Sequence, residues 1–403
     1  MRKGFLSQYF EGVAVKRLTS VEVDAQVSNQ HEFNGSRALR RLLGDERRTY
    51  RGRFLWLPGD TEGISQEGRV TWYDAREAHP SRSEFRLYFN RNSVMDRAQA
   101  NDLLMVASRP SQGLYLIVVP AGSTLEGQLR WLFGVTDVGE QFDYLPIERG
   151  RDLEVDFAIR YILEEIGIEV DEIDDAMLEA VLEPYLEHGF PTTTEFSALA
   201  RKTSPDASPI EAPDDALLMW MEREEKLFKR LERHLILERL RNGFLSNADV
   251  DVDGFLRFSL SVHNRRKSRV GNALENHVEA IFRSHGIRYS RAQVTENKSR
   301  PDFIFPSIEN YRDPLYPMSS LTMLGVKSTC KDRWRQVLAE AARIERKHLL
   351  TLEPSISESQ TMEMASNNVQ LILPHKLHGT YSSRQQQSIW TVRTFLAMVR
   401  SRQ

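Results

Sequence analysis

The sequence predicts two architectures in one chain: a β-rich first part and an α/β second part built on a mixed sheet. Three observations carry this reading. Short β-branched and aromatic runs bounded by Gly, Pro, Asn or Asp crowd the first part. A segment with Pro191, Pro205, Pro209 and Pro213 but no hydrophobic period follows. Beyond it, helical stripes alternate with short apolar strands.

Taken in order, the strand candidates of the first part are 53–57, 69–73, 84–89, 103–106 and 114–119, spaced as in a barrel or sandwich. Ser123 and Glu126 form a capping box that opens a helix with Leu125, Leu129, Leu132 and Phe133 on one face, expected to plug or flank that barrel. Phe157, Ile159, Tyr161 and Ile162 mark a further helix. We therefore place an N-terminal domain at 1–188, an exposed linker at 189–215 and a second domain at 216–403. In the second domain Leu217, Trp220, Leu227, Leu231 and Leu235 mark one long helix. Leu274, Val278, Ile281 and Phe282 mark another, opened by Gly271. Strands are expected at 302–305, 322–327, 348–352 and 369–373, and a closing helix runs through Ile389, Val392, Phe395 and Leu396.

Composition narrows the classes. The longest apolar run, Leu114 to Ala121, is far short of the roughly 20 residues of a membrane span. No apolar core follows Arg2 and Lys3 as in a signal peptide, so a cytoplasmic protein without a membrane partner is expected. One cysteine, Cys330, excludes an internal disulfide framework and a Cys-rich zinc module, and its thiol is expected to be packed. The net charge of −3 conceals an uneven distribution. Fifteen acids lie between Asp143 and Glu187 against Arg149, Arg151 and Arg160, whereas Arg265, Arg266, Lys267 and Arg269 cluster, as do Lys331, Arg333 and Arg335. Such a chain can bind a polyanion on one surface and present a polyanion mimic on another.

The chemistry concentrates around residue 300. Asp302 opens one strand and Lys327 closes the next, so an acid and an ammonium can converge from neighbouring strand ends. A helix expected over 332–346 buries Trp334, Val337, Leu338 and Ala341 and presents Glu340 as a second acid. Glu275, beside the apolar stripe of its helix, is a third. Hard carboxylate oxygens suit Mg²⁺, with Asp302 and Glu340 as ligands. A metal there would polarise a phosphate while Lys327 stabilises charge or orients water, which is phosphodiester hydrolysis. No P-loop, dinucleotide glycine pattern, His-Glu-x-x-His or nucleophile elbow competes. His277, His285 and His348 read as ordinary partly buried histidines.

His263-Asn-Arg-Arg-Lys-Ser-Arg-Val-Gly271, Arg300-Pro-Asp-Phe-Ile-Phe-Pro-Ser307 and Val326-Lys-Ser-Thr-Cys-Lys-Asp-Arg-Trp-Arg-Gln336 resemble the EcoRII-type restriction endonucleases. The resemblance is strong from Glu222 to Leu396. It implies the PD-(D/E)XK nuclease fold and Mg²⁺-dependent cleavage of both strands of double-stranded DNA at a CC…GG-type site by a homodimer. A cognate DNA methyltransferase is expected in the same restriction-modification system. Val15-Lys-Arg-Leu18, Gln30 and the strand pattern are similar to that family's N-terminal effector domain, a B3-like DNA-binding pseudobarrel, which implies autoinhibition by the N-terminal domain. Gly325 stands where the motif's usual middle acid would be, and Glu340 matches the position from which related enzymes supply it. Asp302, Lys327, Glu340 and Glu275 thus carry over as catalytic residues.

Lys331, Asp332 and Arg333 have the donor and acceptor pattern that reads a G·C pair from the major groove, as the family uses this segment. Arg265, Arg266, Lys267 and Arg269 are expected to hold phosphates, and Arg223 could reach a further base. Two other readings stay open: a non-catalytic DNA-binding regulator, and a mismatch-repair type nuclease that nicks one strand as a monomer.

Overall fold

The computed structural model describes residues 5–24, 31–59, 62–79, 81–110, 113–147, 154–170, 176–246 and 249–403. Arg2, Lys3, Gln30, Arg149 and Arg151, and parts of the acidic stretch, lie outside the described residues. The chain divides into two compact units, Met1–Asp171 with Pro354–Ser359, and Glu172–Glu353 with Gln360–Gln403. No helix among the described residues is long and apolar enough to cross a membrane.

The first unit is built on eight strands: β1 Gly12–Arg17, β2 Glu32–Asn34, β3 Arg48–Trp56, β4 Ile64–Asp74, β5 Phe85–Phe89, β6 Leu103–Arg109, β7 Gly113–Val119 and β8 Asp143–Pro146. They form one sheet in the order β2-β5-β4-β3-β7-β6-β1-β8, antiparallel except for the parallel pair β3 and β7. All five strands expected here are present; β1, β2 and β8 carried too short or too polar a pattern. Alternation decides the two faces. Leu103, Met105, Ala107, Ile117 and Val119 enter one core with Leu125, Leu129, Leu132 and Phe133 of the helix Thr124–Phe133. Leu104, Val106, Leu116 and Val118 enter the other with Phe33, Phe54 and Trp72. The helix therefore flanks one face. Ser123 Oγ caps it by accepting from Glu126 N at 3.2 Å, but the Glu126 carboxylate reaches Gly122 N, one residue beyond the expected box.

The second unit begins with the helices Ala176–Leu186 and Thr193–Lys202, followed by the long helices Pro213–Asn242 and Val252–Ser284. The exposed linker expected at 189–215 is corrected here. Thr192 caps a full helix within it, and Phe196 and Ala200 are buried against Leu227, Phe228 and Leu231. With only two large apolar residues in ten, that stripe is too sparse to stand out among the prolines. Gly271 does not open the second long helix, which starts at Val252 with Asp251 accepting from Gly254 N at 2.8 Å. A short hairpin of β9 Leu245–Ser246 and β10 Asp249–Val250 joins the two long helices.

A five-stranded mixed sheet follows, in the order β11-β12-β13-β14-β15: β11 Ser290–Arg291, β12 Phe303–Phe305, β13 Thr322–Lys327, β14 Lys347–Thr351 and β15 Val369–Ile372. The pairs β11/β12 and β12/β13 are antiparallel; β13/β14 and β14/β15 are parallel. Phe282 from the long helix meets Phe303 and Phe305 edge-on at 5.1 and 5.2 Å, and Phe395 of the closing helix Val392–Ser401 completes this core.

Candidate active site

Asp302 sits just before β12 and Lys327 ends β13, and the antiparallel pairing of these strands brings them together. Asp302 Oδ2 accepts from Lys327 Nζ at 2.9 Å and from Val326 N at 2.6 Å. Both side chains are largely buried, so the ammonium is fixed by a charge-assisted bond in place of water.

Glu340 arrives by an unexpected route. The segment Lys331–Ala339 is a 3₁₀ helix, not the α-helix expected to Arg346, and Glu340 is its C-cap in extended conformation. Trp334 and Val337, three residues apart and fully buried, suit the three-residue turn. Ala341 then reverses the chain at φ 48°. The buried Lys347, at the start of β14, holds this reversal by donating Nζ to the carbonyls of Glu340 at 2.5 Å and Ala341 at 2.8 Å. Glu340 Oε2 is buried without a hydrogen-bond partner among the described residues. Burial pushes its carboxyl up to about 7, the Asp302 charge adds to that rise, and Lys327 and Lys347 oppose it.

Glu275 projects from the long helix, where Arg291 Nη2 donates to it at 3.0 Å. Burial raises its pKa, the Asp302 charge adds to the rise, and Arg291 and Lys327 counter it. Arg291 also holds Asn276 at 2.9 Å and Glu279 at 2.7 Å, fixing the helix against β11. The four residues singled out in the sequence thus share one electrostatic neighbourhood. Among the described residues no group of three or more His, Cys, Asp or Glu is arranged as a ready metal cage. Two or three hard carboxylates, one with an unpartnered buried oxygen, nonetheless fit Mg²⁺, which keeps several of its own waters.

The basic residues separate into two groups. Arg269 is buried, bonded to Glu225, and stacked 4.0 Å from the Phe228 ring centroid, so it serves the scaffold and cannot also present itself to a phosphate at the surface. Arg266 donates to Glu232 at 2.7 Å, and Arg265 lies over Phe190. Helical spacing that gathers arginines also places Glu225 and Glu232 opposite them, a pairing that a linear charge count misses. Arg223 donates to Thr203 Oγ1 at 3.1 Å. Arg333 is exposed, Arg335 is paired with Glu363, and the side chains of Lys267, Lys331 and Asp332 lie outside the described residues. The backbone of their segment is anchored where Cys330 N donates to the buried Glu353 carboxylate.

Cys330 is fully buried and its thiol is pushed up by burial, which leaves it inert. His277 and His348 are more deeply buried than expected. His348 is held neutral by burial, its titration pushed down to about 3, while His277 lies between Glu224 and Arg201. Lys347 and Arg291 escaped sequence reasoning, because nothing in a local pattern marks a lysine as facing two carbonyls of a preceding turn.

Residues 228–396, which contain all four converging side chains, match the family model described as EcoRII C terminal. The resemblance is to that family's C-terminal part, over this segment of the chain. The type II restriction enzyme EcoRII of Escherichia coli is 42% identical over 186 residues, covering 46% of this chain and 45% of that protein. The chain thus spans less than half the length of the curated relative it matches. Solved structures with a looser likeness are a complex of the restriction endonuclease PspGI with substrate DNA and metal-depleted Ecl18kI with uncleaved, modified DNA. Each is 16% identical, with TM-scores of 0.43 and 0.42. The first covers 58% of this chain and 98% of that one; the second covers 57% and 84%. Within this matching segment the strand pair β12/β13 and the turn after the 3₁₀ helix bring the candidate side chains together.

Proposed function

We propose that the chain is a type II site-specific deoxyribonuclease that cleaves both strands of DNA at a CC…GG-type sequence. The observation that carries this reading is the convergence of Asp302, Lys327, Glu340 and Glu275 within a segment matching the EcoRII C terminal. Asp302 and Glu340 would hold Mg²⁺, which when bound supplies Lewis-acid polarisation of the scissile phosphate and a water of lowered pKa. The remaining work belongs to the chain itself. Asp302 fixes Lys327 at 2.9 Å, and the Lys327 ammonium stabilises charge growing on a nonbridging phosphate oxygen or orients the attacking water. Glu275, tied to Arg291, keeps a third carboxylate beside Asp302.

Base reading belongs in this proposal to Lys331, Asp332 and Arg333, and phosphate holding to Arg265, Arg266 and Lys267. A homodimer would place one site on each strand of a roughly twofold-symmetric target, protected in the host by a cognate methyltransferase. The N-terminal B3-like domain would bind DNA and restrain the nuclease. Incubating the full chain with plasmid DNA and Mg²⁺ and sequencing the fragment ends tests the reading. Paired cuts at one CC…GG sequence support it, and intact plasmid across several targets and divalent metals sinks it. For autoinhibition, the discriminating outcome is faster cleavage of a single-site DNA by a fragment from Glu172 than by the full chain.

A further inference from the structure

The helix Thr193–Lys202 lies outside the residues that match the family model, yet a chain of hydrogen bonds ties it to Glu275. Ser197 Oγ donates to the carbonyl of Thr193 at 2.9 Å and accepts from Asn276 Nδ2 at 3.1 Å. Asn276 Oδ1 accepts from Arg291 Nη1 at 2.9 Å, and Arg291 Nη2 donates to Glu275 Oε2 at 3.0 Å. Ser197 is fully buried and Asn276 is 5% exposed, so water does not substitute for these partners.

The direction of the chain follows from chemistry. A guanidinium only donates, so the Asn276 oxygen must face Arg291 and its amide NH₂ must face Ser197. Ser197 then accepts from Asn276 and spends its own proton on Thr193. Asn276 and Glu279 both accept from Nη1, which fixes the plane of the Arg291 fork and brings Nη2 to one place beside Glu275.

A second polar tie sits one turn along the same helix. Arg201 Nη1 donates to Nδ1 of His277, the residue after Asn276. The buried His277 ring lies against Trp220 at 5.6 Å and within 2.9 Å of Glu224. Helix Thr193–Lys202 thus holds Asn276 and His277 directly, while the adjacent Glu275 stands in the field of Asp302 and Lys327. Its other buried residues, Phe196 and Ala200, meet an apolar stripe on which a helix can slide. Buried polar contacts of this kind add little net stability but fix register.

We propose that Ser197 and Asn276 are positioning residues that act through Arg291 to set where Glu275 stands beside Asp302. This rests on the assignment of Glu275 to the active site. The test uses the full chain and compares Ser197→Ala with Ser197→Thr, which keeps the hydroxyl, and with Phe196→Leu, which loosens the same helix without touching the hydrogen-bond chain. On a CC…GG duplex at saturating Mg²⁺, Ser197→Ala should lower kcat about tenfold or more, with KM and metal-free duplex affinity unchanged. Ser197→Thr should recover most of that loss, and Phe196→Leu should lower the melting temperature while kcat stays near wild type. Wild-type kcat in Ser197→Ala, or kcat losses that follow melting temperature across all three variants, overturn the proposal. A second arm needs no catalysis. Ser197 and Glu275 share no contact, so the losses of melting temperature from Ser197→Ala and Glu275→Gln, measured with a chelator, should fail to add when the two are combined. Simple additivity overturns the proposal whatever the cleavage assay shows. Coupling in the melts with no cleavage by the unaltered chain would instead sink the nuclease reading and leave the link from Ser197 to Glu275 standing.

Discussion

Val337 occupies the space that a side chain on Gly325 would need: a Cβ at Gly325 would lie 2.8 Å from Val337 Cγ2. The 3₁₀ helix is pressed onto the centre of β13 at the point where the nuclease motif ordinarily carries its middle acid. Three residues beyond Val337 the same segment delivers Glu340. In the proposed site, the absence of an acid at 325 and its supply by Glu340 are two sides of one packing contact. Gly325→Ala should cost about 1–3 kcal/mol through overpacking, and Val337→Ala in the same chain should recover part of that loss. Urea unfolding of the two single variants and the double variant measures the coupling. Simple additivity would show that the contact does not decide the residue at 325.

Asp302→Ala and Lys327→Ala should each reduce cleavage at least about a hundredfold while specific DNA binding persists, because the proposed base-reading segment lies elsewhere. Lys327→Ala leaves the Asp302 carboxylate its bond from Val326 N, so the strand pairing should survive. A plasmid assay and a gel shift on each variant separate the two properties. Cleavage at the wild-type rate in either variant would remove that residue from the active site.

The raised pKa of Glu340 gives a stability signature in the absence of metal. Between its unfolded value near 4.5 and about 7 the folded chain binds more protons at this carboxyl than the unfolded chain does, so stability falls as pH rises through that window. Glu275 is shifted in the same sense and adds to the slope. Glu340→Gln should flatten the decline, as followed by urea unfolding from pH 4.5 to 7.5 with a chelator present. Under the metal reading, cleavage by the unaltered chain should rise over the same pH range as the proton is lost. An unchanged stability slope in the Gln variant would show that Glu340 ionises as an ordinary surface acid.

What the sequence discloses about this molecule depends on the distance over which each feature is determined. The strands β12 to β15 were legible because buried strands leave continuous apolar runs, and Asp302 and Lys327 were legible because they stand at the ends of such runs. Glu340 could be named but not placed. Its position depends on the 3₁₀ turn, on Ala341 at positive φ and on Lys347, and none of these leaves a local pattern. Arg269 shows the opposite failure. It reads as part of an exposed basic cluster, yet Glu225 and Phe228, more than forty positions away, draw it into the interior. The expected linker failed for the same reason, since Phe196 and Ala200 acquire their meaning only from Leu227 and Leu231.

Asp332→Ala should relax discrimination at a G·C pair by roughly 1–3 kcal/mol, whereas Lys267→Ala should weaken all sequences alike and lower the salt slope by about 1. Competition binding with cognate and single-substituted duplexes distinguishes these effects. Equal loss for cognate and random DNA in the Asp332 variant would remove that residue from base reading.

Lys347→Met should loosen the presentation of Glu340 without touching any carboxylate. The ammonium is the donor to two carbonyls of the reversal at Glu340 and Ala341, and methionine can satisfy neither. Leaving two buried acceptors unpaired should cost about 1–3 kcal/mol for each one that water cannot reach. Glu340 also loses a nearby positive charge, which should make its carboxyl harder to ionise. Both effects act on the proposed ligand Glu340, so under that proposal the variant should need a higher Mg²⁺ concentration for half-maximal cleavage while binding target DNA normally without metal. Lys347→Arg tests geometry against charge, because it keeps the cation but must fit a planar fork into a space shaped for an ammonium. Titration of Mg²⁺ into each DNA complex by calorimetry, beside the cleavage assay, provides the readout. Wild-type metal dependence in the Met variant would show that the turn holds its shape through Trp334 and Val337 alone.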